Sequence, residues 1–399
     1  MKEILVSIRN VARREVNRMS SRSLYILVML VFPLLSILFF GSLFKDGLPT
    51  KMPIAIVDLD QTATSRKMAR SIDVTPMSKV VEFLQSETEA MSELRAGNIY
   101  GFVVFPKNFE ADILTSKQPI VGYYYHNAFL TAGGLIQSNL ATVLRSLSGG
   151  INIKKREAMG QSKDYISSQV QPIQRNTHQL FNPTITYSVY LSTIVMPIML
   201  QIFILLMTVY SIGIEIKEKT SREWLRLSNK SVVIALIGKL LPYTVSFFIV
   251  MMFQNFILYR VMQMPMHTNL GWLMLGSFMF VLAYQAVGIL FIGVLPLMRH
   301  ALNLAAFFSI LALSLTGFSF PTDSMPPVIQ YWSNLLPARH YMHIFQSQIL
   351  TGFELKYSLP SYLYLLIFVL LPLIILSRLK SALIYQRFVE DIHSMNSSI

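Results

Sequence analysis

Apolar residues fall into six long blocks separated by polar connections: residues 24–44, 187–214, 232–258, 270–297, 301–320 and 359–376. A helix needs about 20 apolar residues to cross about 30 Å of hydrocarbon. The pattern therefore predicts six transmembrane helices, the last the shortest, with both chain ends on one side of the membrane. The one charge inside a block is Lys239, near its start, where a lysine can snorkel to the head groups. A signal peptide is the competing reading of the first block. Its apolar run exceeds a typical signal core and Gly41-Ser42-Leu43-Phe44 stays apolar, so it reads as an uncleaved span.

Between the first two blocks, residues 45–186 form one long polar segment of domain size. Short β-type runs at 53–57, 79–83, 100–105 and 121–125 alternate with helical stretches, one opened by Thr62 or Thr64 and one over Glu87–Ala96. This alternation predicts a small α/β domain with a mixed sheet. Residues 131–179 read as helical, with Gly149-Gly150 as a break. Asp58 and Asp60 follow a strand, where acidic pairs can hold a metal or serve phosphoryl transfer. No Gly-rich phosphate loop accompanies them, so a turn and helix cap is the simpler reading. Tyr123-Tyr124-Tyr125 with His126 suits either a stacking surface or ordinary alternation along an edge strand.

Two polar segments flank the blocks on the other side. Residues 1–23 place Ile4, Leu5, Ile8, Val11, Ala12, Val16 and Met19 at helical spacing, with Lys2, Arg9, Arg13 and Arg18 between them. That describes an amphipathic helix lying on an anionic lipid surface. Residues 215–231 mix charges of both signs with Ile216, Trp224, Leu225 and Leu227, a combination that suits a docking surface better than a solvated loop. Glu215, Glu218 and Arg222 are spaced to share one helix face, where they can pair with a partner.

The count of basic residues sets the orientation. The connections on the terminal side hold fifteen Lys and Arg in all, against Arg260, Arg339 and Lys356 on the other. Both termini, the 215–231 segment and the tail 377–399 are thus expected in the cytoplasm, and 45–186 outside. The same asymmetry accounts for the net charge of +13 in 399 residues, 53% of them hydrophobic and 14% charged, so nucleic acid is not needed as a partner.

Candidate chemistry is sparse. There is no cysteine, no phosphate-cradling Gly-x-x-x-x-Gly-Lys-Ser/Thr and no Gly-x-Ser-x-Gly elbow. His340 and His343 lack the Glu and further ligands of a metal site and read as polar residues of a short interfacial helix. Gln201, Gln254, Asn255, Gln285 and Asn303 lie inside the blocks, where amides most often bond helix to helix. No catalytic, cofactor or metal residue is assigned, and energy for transport is expected from a partner.

These features resemble the permease subunit of the type-2 ABC exporters, in the subgroup with a large extracytoplasmic domain after the first span. The resemblance rests on the basic amphipathic N-terminus, on Glu215-Ile-Lys217-Glu218-Lys219-Thr220, and on Gly317-Phe-Ser-Phe-Pro321-Thr-Asp-Ser-Met325-Pro326 followed by Leu336-Pro337-Ala-Arg339-His-Tyr341. It implies an α-helical polytopic membrane protein with six spans, an inserted α/β extracytoplasmic domain and a re-entrant segment at 321–357. It also implies coupling to a separate ATPase through Glu215, Lys217, Glu218, Lys219, Arg222, Glu223 and Trp224. Lys219 stands where the family carries glycine, which predicts a more regular helix there. ATP and magnesium would bind the partner; a second permease copy or homologue completes the pore; a periplasmic adaptor and outer-membrane channel join in part of the family. The reading is export across a bacterial inner membrane of a drug-like or lipid-like substrate. The alternative is a membrane-anchored ligand-binding or signalling protein that uses its outer domain.

Overall fold

The computed structural model describes residues 2–44, 49–115, 117–128, 130–161, 187–268, 270–317 and 320–385. Two compact units result, Met1–Gly47 together with Gln179–Ile399, and Leu48–His178. The first begins with helix α1 (Lys2–Ser21) and the long apolar helix α2 (Ser23–Leu43), which loosens into a π-helical turn at Leu27–Val31.

The second unit is built on four strands. In chain order these are β1 (Met52–Asp58), α3 (Ala63–Asp73), β2 (Ser78–Leu84), α4 (Glu87–Ala96), β3 (Gly101–Phe105), α5 (Phe109–Leu114), β4 (Gly122–Tyr125) and α6 (Leu130–Ala158). The sheet order is β2-β1-β3-β4, parallel except where β4 runs against β3. β1 is central and covered on both faces, which is why Ile54, Ala55, Ile56 and Val57 form an unbroken apolar run instead of alternating. Ile54 and Ile56 pack with Met68, Ile72 and Ile136 from α3 and α6, and Ala55 and Val57 with Ala90 and Leu94 from α4.

One expectation for this segment changes, and one reading holds. α6 runs through Gly149-Gly150 without a break, because Leu140, Leu144, Leu147 and Ile151 keep a helical stripe against the sheet. A glycine in a helix costs about 1 kcal/mol, which such packing offsets. Asp58 and Asp60 build the turn before α3: Asp58 accepts from the Asp60 and Gln61 amides and the Ser65 hydroxyl, and Asp60 from Thr62 and the Glu110 amide. The stretch 162–179 lies outside the described residues.

The first unit resumes with α7 (Tyr187–Lys217), α8 (Ser221–Leu227), α9 (Val232–Val261), α10 (Leu270–Val294) and α11 (Met298–Leu315). Two short helices follow, α12 (Pro327–Asn334) and α13 (Pro337–Ile344), the latter running on as a π-helical turn at Phe345–Leu350. The last is α14 (Leu355–Tyr385), its helical pattern interrupted at Leu371, just before Pro372. Six helices of this unit are long and apolar enough to cross a membrane: α2, α7, α9, α10, α11 and α14.

Their ends differ from the apolar blocks. α10 stops at Val294, short of Pro296, because the residue before a proline disfavours helical backbone. α14 extends past both ends of the block 359–376, since backbone hydrogen bonding continues where hydrocarbon stops. Its Arg378 reaches back to the Val294 carbonyl at 2.8 Å.

Candidate coupling site

Helix α1 meets the bundle with only part of its apolar stripe, Val11 and Met19. The residues it buries are Ser7, Val11 and Glu15, four apart and so in line down one face, while Ile4, Leu5 and Val16 remain exposed within this chain. The line packs on α9 at Gly238, where a Cβ would stand 2.8 Å from the Val11 Cβ and 3.0 Å from the Ile8 carbonyl oxygen. Only glycine lets the two backbones approach this closely.

One residue on, Lys239 is fully buried, and its Nζ donates to Glu15 Oε2 at 2.6 Å and to Glu215 Oε1 at 2.8 Å. It does not snorkel, because two buried carboxylates already satisfy it. Tyr243 donates its hydroxyl to Glu15 Oε1 at 2.6 Å. Glu215, at the end of α7, also accepts from Arg14 at 2.7 Å, from Arg18 at 2.5 Å and from the Thr220 hydroxyl. Outside this core, Glu218 pairs with Arg18 and, at 2.7 Å, with Arg22, and Glu223 lies 3.5 Å from Arg14. Four cations thus face four carboxylates across α1, the end of α7, α8 and α9. Desolvating such groups costs several kcal/mol per ion, recovered only when geometry and hydrogen bonds are good. The network therefore fixes the relative positions of these helices. At its exposed edge, burial works to raise the Glu218 carboxyl, but the hydrogen bonds and charges of Arg22 and Arg18 outweigh it, and it lies below its ordinary range.

The segment after Glu215 is not one helix. Lys219 has a φ of +59°, the left-handed cap of α7, where the Thr220 amide donates to the Glu215 carbonyl and the Lys219 amide to that of Ile216. The expectation of a more regular helix at Lys219 is overturned: a lysine here takes the conformation that glycine adopts without cost. Glu215, Glu218 and Arg222 consequently share no continuous face, since α7 ends at Lys217 and α8 begins at Ser221. α8 is pinned to its neighbours at several points, among them Arg222, whose Nε donates to the Ile384 carbonyl at 3.1 Å. Ser221 donates to the Leu383 carbonyl at 2.7 Å, Trp224 Nε1 to the Ala235 carbonyl at 3.2 Å, and the Lys239 ammonium lies 5.1 Å from the Trp224 ring centre. Glu215 and Trp224 are buried inside the chain and offer no surface to another protein, whereas Lys217, Glu218, Lys219, Arg222 and Glu223 are exposed.

A family model described as ABC-2 family transporter protein matches residues 23–378, most of the chain. The chain belongs to the ABC-2 transporter family. It is similar to the linearmycin resistance permease protein LnrN of Bacillus subtilis (22% identical; 79% of this chain, 84% of that one). It is also similar to two permeases of Escherichia coli K12. One is the probable multidrug ABC transporter permease YbhS (23% identical; 82% and 84%), the other the inner membrane transport permease YhhJ (23%; 85% and 88%). This ABC-2 chain is a permease subunit of an ABC transporter, a multi-pass inner-membrane protein whose family implies an ATPase partner.

In this ABC-2 permease the second sequence motif builds the turn from α11 into α12 and α13. Gly317 has a φ of +85°, and a Cβ there would meet Thr322 Cγ2 at 2.5 Å. Pro321 precedes the tight turn Thr322–Ser324, Met325 is buried, and Pro326 leads into α12. Pro337 opens α13 and is buried, and Arg339 ties α13 to α12 through the Gln330 carbonyl at 3.1 Å. Phe318 and Ser319 lie outside the described residues. Tyr284 of α10 accepts from the Ala338 amide at 3.1 Å and belongs to an aromatic column with Phe280 and Tyr341. His340 bonds the Asn334 carbonyl at 3.0 Å and His343 the Ser361 hydroxyl at 3.1 Å, so both bond within the fold.

Three of the five amides bond helix to helix: Gln201 to the Ser309 carbonyl, Gln285 to Thr244, and Asn255 to Ser277. Asn303 is exposed and Gln254 is fully buried with both polar atoms unbonded. Sequence reasoning missed Glu15, Arg14 and Tyr243. The available signal was an acid set directly beside Arg14 in a basic stretch of α1, four residues on from Val11.

Proposed function

We propose that this permease exports its substrate as a dimer of permeases driven by ATP hydrolysis in a separate subunit, with α1, α8 and the end of α7 acting as one coupling block. The carrying observation is the buried network of Glu15, Glu215 and Lys239, which makes these elements move as a rigid body. An ATPase that presses on the end of α7 and its cap, through Lys217 and Lys219, and on the exposed side of α8, through Arg222 and Glu223, would move α7 and α9 together. Charged side chains suit a reversible contact with a partner that changes shape.

In this reading both termini and residues 215–231 face the cytoplasm, and residues 45–186 form an extracytoplasmic α/β domain. α12 and α13 with the following turn form the re-entrant segment at 321–357. The chain holds no ATP site of its own; ATP and magnesium bind the partner. The second permease is another copy or a homologue, and a periplasmic adaptor with an outer-membrane channel extends the path. The names of two relatives, a multidrug and a linearmycin resistance permease, favour a drug-like cargo, beside which a lipid-like one is the second candidate. An anchored signalling protein would not need α8 to be locked to two spans.

The test is reconstitution. The permease alone in liposomes should hydrolyse no ATP, and addition of its ATPase should give hydrolysis that the permease stimulates and ATP-dependent movement of a fluorescent amphiphile. Hydrolysis by the lone permease, or an ATPase indifferent to it, would refute the reading. For orientation, cysteines at Val74 and Lys230, both exposed in this cysteine-free chain, should react with impermeant reagents from opposite sides.

A further inference from the structure

The second unit contains a trough of about 850 Å³ enclosed by α3, α5, β4 and α6, none of which takes part in the coupling site. That volume is within the range of small-molecule sites, roughly 300–1,000 Å³. Its floor is apolar, formed by Phe109, Ile113, Leu144 and Ile151. Its rim carries Lys117, Arg145, Lys155 and Arg156, and no Asp or Glu belongs to the lining among the described residues. The arrangement follows from α6: Leu144 and Ile151 continue the stripe that packs on the sheet, while Arg145 and Arg156 leave the same helix at the border with solvent. Lys155 closes one end by reaching the Ile113 carbonyl at 3.4 Å, and Lys117 has Asp112 at 3.6 Å beyond the lining.

We infer that this trough is a binding site for an anionic amphiphile, a molecule with an apolar chain or ring body and one acidic head group. The floor supplies apolar area removed from water, at about 25 cal/mol per Å². Four cations set around one mouth favour a negative head group and disfavour a positive one, and guanidinium groups match the planar oxygens of carboxylate, sulfate or phosphate. A neutral detergent fills the floor without engaging the rim; a cationic one fills it against a rim whose charge is net positive even with Asp112 beside Lys117. The site requires only that the second unit folds, so it stands or falls apart from ATP-driven export.

The experiment uses the full chain in phosphatidylcholine nanodiscs, with empty nanodiscs subtracting partition into lipid. Dansylaminoundecanoic acid is titrated by fluorescence and displaced with dodecanoate, dodecyl phosphate, dodecyltrimethylammonium and dodecyl maltoside. Saturable binding is expected, displaced by the two anions at least about 10-fold better than by the cation, a difference of about 1.4 kcal/mol. Inorganic phosphate should not displace, which separates an amphiphile site from a bare anion site. Arg145→Glu with Arg156→Glu should weaken binding at least about 10-fold, Arg145→Lys with Arg156→Lys should largely keep it, and Ala141→Phe should block the floor. Thermal melts of each variant establish that it folds. Equal displacement by cation and anion, or wild-type affinity in the folded double reversal, or the absence of a saturable phase, overturns the proposal.

Discussion

Lys239 on α9 and Glu15 on α1 are 224 residues apart in sequence, yet their side chains meet at 2.6 Å with almost no solvent contact. Removing one member strands a buried charge, which costs about 3–5 kcal/mol. Lys239→Met should therefore lower the melting temperature of the purified permease sharply, and so should Glu15→Gln to a lesser degree. The double variant should recover part of the loss, because the carboxylate that Lys239 would leave behind is gone. A double-mutant cycle by thermal melting measures the coupling, and strictly additive losses would show that the pair is not energetically joined.

Gly238 tests how α1 is held. Gly238→Leu places side-chain atoms where Val11 and the Ile8 carbonyl lie, so α1 should lift from α9 and residues 2–21 should become sensitive to protease. In complex with the ATPase, stimulation of hydrolysis should fall with it. Gly238→Ala already puts a Cβ 2.8 Å from the Val11 Cβ, too close for any real contact, and should loosen α1 in the same sense, though by less than leucine does. Unaltered cleavage in the leucine variant would mean that α1 is held by something other than this crossing.

The six spans were legible because hydrocarbon imposes one length and one composition on every crossing helix. β1 and α4 were legible because they are short, patterned and bounded by turn residues. The coupling core was not, because its logic lies in pairs distant along the chain. Lys239 near the start of an apolar block looks the same in sequence whether it snorkels or meets Glu15 and Glu215. Lys219 misled for a local reason: its side chain argues for a helix, but the cap is set by where the Glu215 and Ile216 carbonyls need donors.

That cap yields the third prediction. A non-glycine residue in the left-handed region costs about 1 kcal/mol, so Lys219→Gly should raise the melting temperature slightly. Lys219→Val, with a β-branched side chain at φ +59°, should lower it. A stabilising valine would show that the cap opens readily into a continuous helix.

Glu218 separates a tether within the chain from a contact with the partner. It pairs with Arg18 and Arg22, so Glu218→Lys should loosen α1 as well as release the ATPase, while membrane insertion stays normal. Arg222→Glu changes an exposed side chain that among the described residues bonds only the Ile384 carbonyl, at 3.1 Å, and forms no hydrogen bond or ion pair with α1, so it should weaken ATPase pull-down with α1 still protected from protease. Wild-type pull-down and transport in the Glu218→Lys, Arg222→Glu double variant would remove this segment from the coupling mechanism.

The same carboxylate gives a pH dependence with a fixed sign. Glu218 is held below its ordinary value by Arg22 and Arg18, so its stabilising effect is complete above the unfolded pKa, about 4.3, and is lost as pH falls through the lower folded value. Protection of α1 from an acid-active protease should be flat from about pH 8 to pH 5 and fall only below that. Glu218→Gln should remove that fraction of the acid dependence while leaving whatever the other carboxylates contribute. A loss of protection centred near neutral pH would assign the tether to a group other than this one.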